Sequence, residues 1–176
     1  MNNNILVTYA SKYGATAEIA QKIGEVLRQA GWQATVLPVN DARDLSLYSA
    51  VILGSAVYIG KWQKEAATFL QTNEKILANL PVWLFSSGPT GEGDPIELLE
   101  GWRLPATLQP VVDRIRPCGV TVFHGHINSQ KLNFIEKQAV KSLKKPFGDF
   151  RDWDAIKNWT AKIVSALNGS EPAPIR

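Results

Sequence analysis

Ser11, Gly14 and Thr16 form a Ser-x-x-Gly-x-Thr arrangement within residues 9–27, YASKYGATAEIAQKIGEVL, between an apolar run and an amphipathic pattern. Where a strand feeds a helix, unpaired backbone N–H groups and the positive end of the helix dipole attract an anion. Gly14 lets the backbone come close and the two hydroxyls add donors, so the chemistry to expect is the holding of a phosphate. The spacing matches neither Gly-x-x-x-x-Gly-Lys-Ser/Thr nor Gly-x-Gly-x-x-Gly, which disfavours nucleoside triphosphates and NAD. Alone, the stretch reads equally well as a glycine turn with a Ser or Thr helix cap. Two more segments weigh against that reading: GSAVYIGKW at residues 54–62 and SSGPTGEGD at residues 86–94, both rich in glycine and small polar residues. Between them a planar heterocycle finds a stacking face in Tyr58 or Trp62, and backbone groups of Ser87, Gly88 and Gly91 for its polar rim. A phosphate loop with two ring loops describes a phosphorylated flavin.

The other reactive side chains have simpler readings. His124 and His126 share a strand face and lack a third ligand nearby, so they read as a structural or solvated pair at the sheet edge, away from the ring loops. Cys118, the single cysteine, reads as a small buried residue. In GDFRDW, residues 148–153, Asp152 reads as a helix N-cap with Asp154 in the first turn, Trp153 and the later Trp159 pack inward, and Arg151 pairs with Asp149 or Asp152. Asp94 and Glu97 are either solvated loop charges or charges that repel a reduced anionic ring. No side chain is assigned a catalytic role and none a metal.

Elements of alternating type must position these residues. Buried-strand patterns occupy residues 4–9, 32–39, 50–55, 81–87 and 119–127, while helical spacing follows at 19–27, 64–71, 131–145 and 154–167. Strand alternating with helix implies parallel neighbours joined by long right-handed crossovers. The expected architecture is an open parallel α/β sheet of five strands with helices on both faces. The 176 residues, 45% hydrophobic, suit one domain, expected over residues 1–168 with a loose tail at 169–176. Nineteen basic residues interleave with 16 acidic ones for a net charge of +3, which permits nucleic-acid binding without indicating it. No apolar run approaches the roughly 20 residues of a bilayer span and the start has no leader layout, so a cytoplasmic location is expected.

TYASKYGATAEIA resembles the phosphate loop of the flavodoxin family, and the strand and loop order agrees over nearly the whole chain. CGVTVFHGHIN, the helix after it, and GDFRDWDAIKNW are similar to the flavodoxin-like branch that includes the menaquinone-dependent protoporphyrinogen oxidases. The resemblance implies an α/β three-layer sandwich on a five-stranded parallel sheet of order 2-1-3-4-5, here with an extra helix after the fifth strand, and non-covalent FMN. Ser11, Lys12, Tyr13, Gly14, Ala15 and Thr16 would surround its phosphate; Ala56, Val57, Tyr58, Ile59 and Gly60, with Ser87, Gly88, Pro89, Thr90 and Gly91, would surround its ring. It also implies oxidoreductase chemistry through the flavin, with an electron donor and an acceptor that is a quinone or a redox protein; the alternative is a flavodoxin-type carrier between protein partners.

Residues 131–145, KLNFIEKQAVKSLKK, read as an amphipathic helix with Leu132, Ile135, Ala139 and Leu143 as its apolar stripe. Lys137, Lys141, Lys144 and Lys145 gather on the other side and at the C-terminal end. The simpler expectation is a surface helix packed on the sheet, and the sharper one is weak, peripheral contact with anionic lipid.

Overall fold

The computed structural model describes residues 2–169; the tail expected at 169–176 lies, beyond Gly169, outside the described residues. Five parallel strands, β1 (Asn4–Ala10), β2 (Gln33–Pro38), β3 (Ala50–Tyr58), β4 (Val82–Ser87) and β5 (Gly119–Phe123), lie in the order β2-β1-β3-β4-β5. This is the expected 2-1-3-4-5 order of the α/β flavodoxin fold, with a two-residue antiparallel addition: Lys61–Trp62 folds back on the end of β3. Pairing is continuous across the sheet, with Leu6 opposite Val51, Val51 opposite Val82 and Trp83 opposite Gly119.

The strands are nearly uniformly apolar because both faces are covered. On one face Leu6, Val51, Leu53, Val82 and Leu84 meet α2 (Lys64–Thr72), α3 (Glu74–Leu77) and α5 (Gln109–Ile115). On the other face Ile5, Val7, Ile52, Trp83 and Phe85 meet α1 (Ala15–Gln29) and α7 (Trp153–Leu167), through Ile19, Ile23, Leu27, Ile156 and Ile163. Neighbouring residues of one strand thus enter different cores, as the alternation of a pleated strand requires. Gly54 of β3 makes room for Phe85, since a Cβ there would land in the Phe85 ring. That ring in turn packs against Phe123 and Trp159, at centroid distances of 5.6 and 6.1 Å.

The C-terminal third departs from expectation. The fifth strand ends at Phe123 and not at 127, and His126–Ile127 forms a separate antiparallel pair with Gly148–Asp149. Between these two short strands α6 (Phe134–Ser142) begins with a reciprocal cap: Asn133 Oδ1 accepts from Glu136 N at 2.8 Å, and Glu136 Oε2 from Asn133 N at 3.0 Å. The expected stripe fails at Ile135, which is 78% exposed, and α6 lies over the mouth of a cleft and not on the sheet. Asp152 does cap α7, accepting from Ala155 N at 2.9 Å. Trp153 and Trp159 turn toward the core and Cys118 is partly buried beside it. Among the described residues no helix is long and apolar enough to cross a membrane.

Candidate functional site

The loop after β1 is built by two short-range features. Ser11 Oγ accepts from Gly14 N at 3.0 Å, closing the turn, and Gly14 takes φ of 95° to start α1. No side chain caps α1, so its first-turn N–H groups remain available as anion donors. Within the chain itself Gly14 is required by its left-handed backbone, since a Cβ there would meet only Lys131 Nζ, at 3.9 Å.

A cleft of about 150 Å3 opens where this loop meets the ends of β3 and β4. From the first loop it is lined by Ser11, Lys12, Tyr13, Ala15 and Thr16, from the second by Ala56, Val57, Tyr58 and Ile59, and from the third by Ser87 and Gly88. Gly14, Gly60, Pro89, Thr90 and Gly91 do not line it. Gly14 and Gly60 shape the turns beside it, both with positive φ, whereas residues 89–91 run away toward α4 (Pro95–Leu98). That third loop is held from behind: Gly125 N donates to Pro89 O at 2.9 Å, and the His124 ring nitrogens lie 3.1 Å from Pro89 O and 2.7 Å from Gly93 O. The Thr90 hydroxyl is buried with no partner.

Several side chains take roles other than those expected. Trp62 is no stacking platform, because it is buried and its Nε1 donates to Ser86 Oγ at 2.8 Å, pinning the hairpin to β4. Tyr58, 40% exposed, keeps the stacking role open. Asp94 is the N-cap of α4, accepting from Ile96 and Glu97 N–H groups, and neither Asp94 nor Glu97 lines the cleft. His124 and His126 do not share a strand face, since the strand ends before both. His124 is buried, and His126 lines the cleft with Nδ1 3.9 Å from Asp149 Oδ2. Arg151, only 5% exposed, pairs with Asp149 at 2.6 Å and with Glu18 of α1, and not with Asp152. It thereby ties the outer hairpin to the first turn of α1, and it holds the Asp149 carboxyl below the usual carboxylate range.

Sequence reasoning missed one wall. Gln63, Gly125, His126, Ile127 and Asn128 line the cleft, as do Leu132 before α6, Ala139 and Val140 in it, and Leu143 and Lys145 after it. The available signal was Gly125, between two histidines: a Cβ there would press within 3.1 Å of the Gly88 backbone, so the glycine marks where the chain must leave the fifth strand against the third loop. The carboxylate contact of this wall is Glu136. Its Oε1 lies 2.5 Å from Lys12 Nζ and also accepts from the Tyr13 hydroxyl. Lys12, Tyr13 and the Asn133 N–H together bring the Glu136 carboxyl down to about 2, and the carboxylate raises Lys12 above the usual lysine range.

The donor set fits a flavin mononucleotide. Uncapped α1 amides with two nearby ammonium groups suit a dianionic phosphate, and the bare backbone at Gly88 with the Tyr58 face suits a planar ring.

A model of the flavodoxin domain matches residues 6–154, and the chain belongs to this family. No curated protein sequence matches it. Among solved structures, a flavodoxin from the domain Archaea is similar over 94% of this chain and 99% of its own, at 14% identity and a TM-score of 0.62. Oxidised flavodoxin 2 from Bacillus cereus has 21% identity over 94% of this chain and 99% of its own, with a TM-score of 0.58. The rubredoxin oxygen:oxidoreductase of Desulfovibrio gigas has 16% identity and a TM-score of 0.62; the match covers 96% of this chain but 37% of that one. At these identities the likeness is one of fold. Family membership and the cleft's donor set together indicate FMN as the cofactor of a flavin-binding electron-transfer protein.

Proposed function

We propose that the chain holds FMN in this cleft and works as an oxidoreductase on a small molecule. The observation that carries the reading is the meeting of three loops, after β1, β3 and β4, with an uncapped helix N-terminus at one end and an exposed tyrosine face at the other. Residues 11–16 hold the phosphate, chiefly by backbone donors. Tyr58, with Ala56, Val57, Ile59 and Gly60, borders one side of the ring; Ser87 and Gly88 border the other, and Pro89, Thr90 and Gly91 carry the loop on from it toward α4. When bound, FMN supplies the electron or hydride-equivalent transfer, and the protein supplies orientation, exclusion of water and charge near the ring. No acid or base side chain is required for that.

The α6 wall supports the enzyme reading, because it roofs the cleft with Leu132, Ala139, Val140 and Leu143, as an apolar substrate beside a flavin would require. In this reading the reductant is a tetrapyrrole precursor of the protoporphyrinogen class and the acceptor a quinone. A carrier role is favoured by a different observation: Tyr58 and Ile59, 40% and 72% exposed, offer an apolar edge to a protein partner. Stopped-flow mixing of the FMN form with protoporphyrinogen, followed by a menaquinone analogue, distinguishes them. Repeated turnover with both supports the enzyme, whereas exchange with ferredoxin-type proteins alone supports the carrier and overturns it. Exposed Phe134 and Ile135 beside Lys137 and Lys141 also suit peripheral contact with anionic lipid. Co-sedimentation with anionic but not neutral vesicles, reversed by salt, is the expected result.

A further inference from the structure

Residues 128–145 join the two short strands His126–Ile127 and Gly148–Asp149, which pair with each other and so fix both ends of the segment. Between these anchors no residue of α6 is fully buried, and packing alone holds it weakly. Its polar ties converge on one place, the phosphate loop. Glu136 takes the Lys12 ammonium and the Tyr13 hydroxyl, while Lys131 Nζ donates to Tyr13 O at 3.0 Å. The carboxylate that fastens the helix also starts it, through the reciprocal bond with Asn133. So held, the Lys12 ammonium lies 4.8 Å from the centroid of the Tyr58 ring and 5.1 Å from that of Tyr13. It covers the face offered for stacking, and its charge is already matched.

We propose that residues 128–145 are a lid on the cleft and that Glu136 is its latch, closing the lid by holding Lys12 across Tyr58. The ligand, a planar molecule carrying a phosphate, must displace that carboxylate from Lys12 to enter. Its identity as FMN rests on the function proposed above, whereas lid and latch are properties of the chain alone. The Glu136 carboxylate and an incoming phosphate compete for the one Lys12 ammonium, so latch and ligand oppose one another. The same arrangement makes Glu136 a determinant of entry rate, a role distinct from that of the residues that hold the phosphate.

The test compares the ligand-free protein with Glu136→Gln, Lys12→Gln and a control, Lys137→Gln. Glutamine at position 136 retains the helix cap, since Gln serves there as Glu does, while removing the charge that holds Lys12. Amide hydrogen exchange over residues 128–145 is expected to speed up about tenfold or more in both latch variants and to stay unchanged in the control. FMN association, followed by quenching of its fluorescence, is expected to be about fivefold faster or more in Glu136→Gln and weaker in Lys12→Gln. Unchanged exchange in both latch variants overturns the lid. Faster exchange without faster association overturns the gate. Absence of FMN binding in every form overturns the cofactor reading instead, and the exchange result alone then decides the lid.

Discussion

Ile59 has φ of 49° and is 72% exposed, so a β-branched side chain holds a left-handed turn position without burial to offset it. With Gly60 at φ of 67° it turns β3 into the hairpin that ends at Trp62. Ile59→Asn should therefore raise stability by about 1 kcal/mol in urea unfolding, because asparagine tolerates this backbone. Glu136 gives a pH signature. Its carboxyl falls from 4.5 to about 2 in the folded chain, beside Lys12 and Tyr13 with Lys131 near by, so the latch stabilises fully above about pH 4.5 and is lost as pH falls toward 2. Protection of residues 128–145 should be flat from about pH 7 to 5 and decline below 4.5 in the native chain, with no such decline in Glu136→Gln. These roles were hidden in the sequence for a physical reason. The long-range partners of Glu136 lie 123 and 124 positions away, and the local pattern Asn133-x-x-Glu136 announces only a helix cap.

Among the elements, the sheet was readable because its strands are buried on both faces, which leaves runs such as AVILGS with no polar interruption. The alternation implies parallel neighbours with helical crossovers, whereas their order rested on the family resemblance that the first loop carries. The ends were harder. β3 continues to Tyr58 because Ser55 Oγ accepts from Gln63 N at 3.0 Å and closes the hairpin, a pairing that no periodicity announces. α5 spans only seven residues with a proline near its start, too few to show a helical stripe. Gly54 carries the sharpest test of the sheet. Gly54→Ala puts a methyl group into the Phe85 ring and should cost about 1–3 kcal/mol in unfolding free energy. Phe85→Leu in the same chain should return part of that loss, because the smaller side chain clears the methyl.

At the scale of the whole molecule, the cleft stands where the chain leaves β1 in one direction toward β2 and returns on the other side to β3. Helices diverge at such a switch point and leave a crevice at the carboxyl ends of the strands, a rule for which flavodoxins are a standing example. The first loop and the tyrosine of the second were legible because glycine, hydroxyl and aromatic residues follow strand ends in sequence. The fourth wall was not, because it requires β5 to stop early and α6 to turn back over the loops, a tertiary event set by Gly125 and the outer hairpin. The measurement that bears most directly on the account is titration of the ligand-free protein with FMN and with riboflavin under the same conditions. One FMN per chain, bound about tenfold or more tighter than riboflavin, a difference of about 1.4 kcal/mol, is the expected result. Equal affinity for the two would contradict the assignment of residues 11–16 to the phosphate.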